Sequence, residues 1–304
     1  MLQDMKDDYA TVTDMTPSYV IEIQTPKKYL LNGLWFGPQK PKRMIIWVHG
    51  LGSSAFTKRA IVDQLVDKKT AVMTFNNRGF EMVSDVRQAK GSGIKFEVGG
   101  AAHEVFTDSV DDIQGAINFA KRAGVKSIYL AGHSTGCQKS TYWASKNNKE
   151  KAVKGIILLA PISDYSSDRA KYGKERVEKL VAIACKMVAA GKPHDLLPLP
   201  LPAGSYYDAQ RYLSLFTLDS VDNIFTYANP ERDPKTLRSV RLPILVLLAG
   251  KDEYGDMPAK TIGAWFEKVL KQGDRVEVIP KVLHSFSGEE TEVAALMKSF
   301  ISGS

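Results

Sequence analysis

Apolar residues along this chain fall into two alternating rhythms, and the alternation predicts the architecture. Ser18–Thr25 and Tyr29–Phe36 predict an opening hairpin, turned at Pro26-Lys27-Lys28. Met44–Val48 predicts a buried strand that ends at His49-Gly50. A helix over about Thr57–Lys68 and a strand over Ala71–Phe75 follow. Val110, Ile113, Ile117 and Ala120 recur at helical spacing, and the run Lys126–Ala131 after them predicts another strand. Gly155–Ala160 and Leu242–Ala249 are further buried strands. Ile262, Trp265, Phe266, Val269 and Leu270 mark a helix, Val276–Ile279 the last strand, and Val293, Leu296, Met297, Phe300 and Ile301 a closing helix. Strands alternating with helices predict the α/β class, with a mostly parallel central sheet flanked by helices.

Two segments interrupt the alternation. Phe80–Gly100 is rich in charge and glycine and reads as a long loop. Asp164–Ser239 separates two core strands, carries a helix over about Glu175–Ala190, and then runs through Pro193, Pro198, Pro200 and Pro202. Connections of that length are usually functional. Residues 164–238 are therefore expected to form an inserted cap over the site, with residues 1–163 and 239–304 as the core.

The chemistry is concentrated where predicted strands end, which is where ligands gather in such sheets. The strand over Lys126–Ala131 runs into Gly132-His133-Ser134-Thr135-Gly136, and a helix follows. G-x-S-x-G between strand and helix is a nucleophile elbow: a turn too sharp for bulky neighbours, with its serine at the tip. A serine hydroxyl is a weak nucleophile and needs a base. His284 follows the last strand and supplies an imidazole that titrates near neutrality. Asp252 follows the strand before it and is the acid expected to orient that imidazole, with Glu253 and Asp256 as rivals. The tetrahedral oxyanion needs backbone donors. Thr135 N–H, directly after the serine, and Leu51 N–H, in His49-Gly50-Leu51-Gly52, are the two expected.

Other polar residues carry a plainer reading. His49 is expected to shape the oxyanion loop, and His133 to pack beside the elbow. His103-Glu104 stands without a second histidine at ligand spacing, so a structural or cap-facing role is expected and no metal site is assigned. His194 reads as solvated, and Arg78-Gly79 as a turn. Tyr206, Tyr207, Tyr212, Phe216 and Phe225 either line a substrate pocket or form the insertion's own small core. Cys137 and Cys185 are the only cysteines, so no disulfide framework or Cys-based zinc site is suggested; both are expected to be buried.

Length and composition fit this picture. The chain has 304 residues, 44% of them hydrophobic, enough for one large core. No run reaches the ~20 apolar residues of a membrane span. The charged start Met1–Asp8 lacks a signal-peptide core, and the chain is expected to be cytoplasmic. The net charge of +7 is scattered among acidic residues, which argues for a solvated surface and against a nucleic-acid or membrane partner. A small-molecule partner, a monomer or homodimer, and no cofactor are expected.

Over nearly its whole length the chain resembles the α/β-hydrolase superfamily, whose triad order is Ser…Asp…His. Within it, Gly132-His133-Ser134-Thr135-Gly136-Cys137-Gln138, Asp195-Leu196-Leu197-Pro198, Ala209-Gln210-Arg211-Tyr212-Leu213-Ser214-Leu215 and Gly250-Lys251-Asp252-Glu253-Tyr254 resemble a group containing fungal esterases that open fusarinine-type siderophores. Asn76-Asn77-Arg78-Gly79-Phe80 is closer to general bacterial hydrolases. The resemblance implies an α/β-hydrolase fold with a cap, Ser134, Asp252 and His284 as triad, and an ester substrate, of which a hydroxamate siderophore ester is one type. Amidase, thioesterase and carbon–carbon bond hydrolase chemistry run on the same machinery, and a small-molecule receptor on this scaffold is the rival of a different class.

Overall fold

The structure, a computed structural model, describes residues 16–198, 201 and 205–303. The segment Met1–Asp8 and prolines Pro200 and Pro202 lie outside the described residues. The opening hairpin forms as expected, β1 (Ser18–Gln24) against β2 (Tyr29–Phe36). Then come β3 (Arg43–Val48), α1 (Arg59–Leu65), β4 (Thr70–Phe75), β5 (Ser84–Lys90), β6 (Gly93–Gly99), α2 (Ser109–Arg122), β7 (Ser127–His133), α3 (Thr135–Lys146) and β8 (Val153–Leu159). The insertion contributes α4 (Asp164–Tyr172), α5 (Lys174–Ala189), α6 (Ala209–Phe216) and α7 (Lys235–Arg238). The chain closes with β9 (Ile244–Ala249), α8 (Ala259–Val269), β10 (Arg275–Ile279) and α9 (Glu290–Gly303).

Among the described residues the strands make one ten-stranded sheet in the order β10-β9-β8-β7-β3-β4-β2-β5-β6, with β1 also paired to β2. From β10 to β4 the pairing is parallel; β2, β5 and β6 continue it antiparallel. Both faces of β9, β8, β7, β3 and β4 are covered, which is why these strands read as mostly apolar runs, whereas the edge strand β10 alternates and is half-buried. Alternate residues point to opposite faces. Met44, Ile46 and Val48 of β3 pack with α2, α3 and α8 on one side, while Ile45 and Trp47 pack with α1 and α9 on the other.

The insertion has a small core of its own. Val177, Leu180 and Ala184 of α5 pack with Leu197, Leu201, Tyr207 and the α6 residues Ala209, Tyr212, Leu215 and Phe216. Leu51, from the loop after β3, packs against this cluster. The five aromatics divide by residue: Tyr207, Tyr212 and Phe216 are in the insertion's core, with Tyr207 and Phe216 also lining a cavity, Phe225 is in the main core, and Tyr206 is exposed.

Three expectations are corrected. Phe80–Gly100 is not a loop: β5 and β6 form a hairpin inside it, joined through Gly91, whose φ of 59° suits a tight turn. Its strands have few buried positions, so the alternation that marks a strand is weak there. Cys185 is exposed, because α5 buries the stripe Val177, Leu180 and Ala184 and the next residue faces away. The helix expected over Thr57–Lys68 is shorter at both ends; Lys58, at φ 56°, turns the chain just before it.

A buried chain of charges fastens the insertion to the core. Glu104 receives Lys139 of α3 at 2.5 Å and Arg211 of α6 at 2.7 Å. Arg211 also reaches Asp222 at 2.7 Å. All four side chains are buried. Burial works to raise the Glu104 pKa, but the Lys139 and Arg211 charges outweigh it and hold the carboxyl below its ordinary range. His103-Glu104 is thus structural, as expected: His103 and His194 both bring Nδ1 to within 3.1 Å of Asp208 Oδ2.

Candidate active site

Four strand ends build the site. After β7 the chain turns at Ser134, with φ 56° and ψ −129°, and enters α3 at once. That conformation is strained for a residue with a side chain, at a cost of about 1–3 kcal/mol. Close packing enforces it. A Cβ on Gly132 would collide with the Gly136 carbonyl, and one on Gly136 with the carbonyl of Val48. The Ser134 N–H donates to Leu159 O of the adjacent strand at 2.9 Å. Cys137 sits buried behind the turn, as expected.

The loop after β3 lies against the same turn. A Cβ on Gly50 would stand 2.8 Å from Ser134 Cβ, so only glycine lets the two segments approach. His49 anchors the loop. Its Nε2 accepts the Asn77 N–H at 3.2 Å, which leaves Nδ1 to donate to Gly50 O at 2.8 Å. Burial, helped by the Lys139 charge, pushes the His49 pKa down to about 3. A neutral, doubly bonded imidazole is a strut, not a base. Thr135, the first residue of α3, has its N–H among the free donors of the helix start.

After β9, Asp252 Oδ2 meets His284 Nδ1 at 2.8 Å. Asp252 Oδ1 accepts the Tyr254 N–H at 2.9 Å. Glu253, a rival acid in the sequence, holds the main chain instead, where its Oε2 accepts the N–H of His284 at 2.8 Å. His133 Nε2 donates to the carbonyl of His284 at 2.9 Å, so the histidine is fixed at ring, amide and carbonyl. Tyr254 packs edge-on against its ring at 4.9 Å.

Ser134 and His284 line one cavity of about 480 Å³, which also takes in Gly50, Leu51 and His133. Its far wall comes from the insertion: Asp164, Ser167, Asp168, Lys171, Tyr172, Tyr207 and Phe216. Burial raises the Asp164 carboxyl to about 7 and that of Asp168 to about 6. Gln138, one turn into α3, donates to both Ile162 O and Asp164 Oδ2 at 3.0 Å and ties this wall to the elbow helix. Sequence reasoning missed Asp164, Asp168 and Lys171. Asp164 did leave one signal, since it opens the helix shortly after β8, at the end of the sheet where Ser134 follows β7.

A second cavity, of about 530 Å³, is lined by Tyr29, Arg78, Glu97, His103, Asp108 and Asp112 and includes none of Ser134, Asp252 and His284. Arg78 is committed there to Asp112 at 2.7 Å and to Asp111 at 3.2 Å, which fits a structural part. Among the described residues no group of three or more histidine, cysteine or acidic side chains could hold a metal ion, and no helix is long and apolar enough to cross a membrane.

Residues 98–302, which hold the elbow, the insertion, Asp252 and His284, match the family described as "Protein of unknown function (DUF1749)". The chain belongs to this family. No curated protein matches it. Among solved structures, the alpha/beta hydrolase GrgF from Penicillium sp. sh18 superposes with a TM-score of 0.66 at 14% identity, covering 94% of this chain and 98% of that one. Est1E from Butyrivibrio proteoclasticus, with ferulic acid bound, gives 0.61 at 16% identity, covering 93% and 98%. The Pyrococcus furiosus esterase Pf2001 gives 0.58 at 16% identity, covering 94% and 91%. At these identities the likeness establishes the fold: this DUF1749 chain is an α/β-hydrolase in architecture.

Proposed function

We propose that this protein is a cofactor-free serine hydrolase that cleaves carboxylic esters through an acyl-enzyme, with Ser134, His284 and Asp252 as its triad and residues 164–238 as its cap. One observation carries the reading. A serine on a strained strand-to-helix turn shares a cavity with a histidine whose other ring nitrogen is held by a carboxylate at 2.8 Å. The esterase names of Pf2001 and Est1E, on the same fold, point the same way.

The residues divide the work as follows. Ser134 Oγ attacks the acyl carbon while His284 Nε2 takes its proton. Asp252 fixes Nδ1–H on the opposite side and stabilises the imidazolium. Leu51 and Thr135 N–H groups hold the oxyanion, pre-oriented by the glycine-lined loop and the helix start. The imidazolium returns the proton to the leaving oxygen, and the alcohol departs. Water then gives its proton to His284 and its oxygen to the acyl carbon, and Ser134 leaves with the proton restored.

The test is turnover on matched ester, amide, thioester and β-diketone substrates, with a hydroxamate siderophore ester among the esters, by wild type and Ser134→Ala. Ester turnover that falls by roughly 10⁴-fold or more in the variant is expected. Ester cleavage retained in Ser134→Ala would contradict the nucleophile, and turnover of the β-diketone alone would replace the ester assignment with carbon–carbon bond hydrolysis.

A further inference from the structure

Among the described residues the sheet ends on β6, which pairs with β5 on one side only. On one face of this strand Ile94, Phe96 and Val98 are 50%, 63% and 65% exposed. An open edge with an apolar face is a template for another strand, and proteins usually blunt it with proline, a cover or charged side chains. Gly93–Gly99 has no proline, and its two charges, Lys95 and Glu97, are of opposite sign.

The order of those residues is the informative part. Gly93-Ile94-Lys95-Phe96-Glu97-Val98-Gly99 has the same polar and apolar pattern read in either direction from Phe96, with the sign of charge inverted. Two such strands laid antiparallel about a twofold axis at Phe96 bring Lys95 of each copy opposite Glu97 of the other. Ile94 then meets Val98, Phe96 meets Phe96, and glycines close both ends. A shift of one residue would put apolar side chains opposite charged ones across the two faces. A shift of two would set Lys95 against Lys95 or Glu97 against Glu97, and like charges directly opposite are destabilising. One register therefore satisfies face and charge together, and, as for any antiparallel pairing of two identical strands, it is isologous, as a two-fold dimer requires.

The charged side chains already lie where this pairing needs them. Within the chain Lys95 Nζ meets Glu97 Oε1 at 2.7 Å, and Tyr29 OH donates to Glu97 Oε2 at 2.7 Å. These contacts hold both charges on the face opposite Phe96. We propose that β6 is a self-association edge, and that two copies of this protein join β6 to β6, antiparallel about Phe96, so that one sheet runs through both.

Sedimentation velocity over a wide concentration range tests this with two charge reversals. Wild type is expected to pass from monomer to dimer as concentration rises. Lys95→Glu and Glu97→Lys, each alone, place like charges at both crossing points and weaken association by about tenfold or more. An equimolar mixture of the two variants sets every acidic position opposite a basic one, and association returns. Thermal melting of each variant checks that it is folded. If Glu97→Lys fails to fold, Phe96→Asp, at an exposed position, replaces it, and the expected result is loss of the dimer. A wild type that stays monomeric throughout, variants that associate like wild type, or a mixture that recovers nothing would overturn the proposal.

Discussion

Asp252 Oδ2 lies 2.8 Å from Nδ1 of His284, while the neighbouring Glu253 takes the main-chain N–H of the same histidine at 2.8 Å. Two adjacent carboxylates thus hold one residue by different atoms, and only one touches the ring. Asp252→Asn should lower kcat by ~10⁴, as replacement of the orienting acid does in triads of this type. Glu253→Gln, which can still accept from the amide, should lower it by less than about tenfold. Steady-state kinetics on one ester decides the matter; equal losses would mean that the main-chain anchor matters as much as the ring's partner.

The elbow's glycines are predicted to be intolerant for a steric reason. A methyl at Gly132 or Gly136 meets backbone carbonyls, not movable side chains. Gly136→Ala should destabilise the protein by about 3 kcal/mol, the upper end for overpacking a tight interior. Urea unfolding measures it. A Gly263→Ala control, whose new Cβ would meet Leu248 at an ordinary 3.4 Å, should change little.

Glu104 holds two buried cations, and its neutral isostere would leave Lys139 and Arg211 without their shared charge. Glu104→Gln should therefore cost about 3–5 kcal/mol, the range for breaking a buried ion pair from one side. Removing Asp108 from its exposed contact with Lys27, by contrast, forfeits at most about 1 kcal/mol through that pair. Denaturant titration of Glu104→Gln checks the larger effect.

Asp164 makes stability depend on pH. Burial raises its carboxyl to about 7 in the folded state, from an ordinary value of 3.8. The folded protein thus keeps a proton that the unfolded chain releases near pH 4, and a raised folded pKa adds stability that is fully present below the unfolded value and lost as pH rises through the folded one. Asn cannot ionise and lacks this dependence, yet still accepts from Gln138. The melting temperature of Asp164→Asn minus that of wild type should climb between about pH 4 and pH 7 and level off above. A difference that is flat across this window would mean that Asp164 ionises in the folded protein as it does in water.

The sequence exposed the parts of the fold that bury whole apolar runs. Ser134 and Asp252 were legible because each follows a strand buried on both faces, and His284 because it follows the short alternating edge strand β10, so counting along the chain placed all three at one end of the sheet. The β5–β6 hairpin was not, since so few of its side chains are buried; the two-residue Gly91-Ser92 turn between short alternating segments was the signal available. Cys185 was misplaced because one step along a helix, about 100°, separates it from the buried Ala184. The Glu104–Lys139–Arg211–Asp222 chain joins charges from distant segments, and such pairing leaves no periodic trace. The far wall of the cavity, Asp164 and Asp168, depends on how the insertion folds back, which the lengths of its helices alone do not specify.

The most direct test of the central claim is the reaction of Ser134 with a fluorophosphonate, followed by peptide mapping of wild type and Ser134→Ala. An activated serine at the elbow predicts one adduct per chain, on Ser134, absent from the variant and strongly slowed by His284→Ala. A folded wild-type protein that forms no adduct, or one labelled equally in Ser134→Ala, would contradict it.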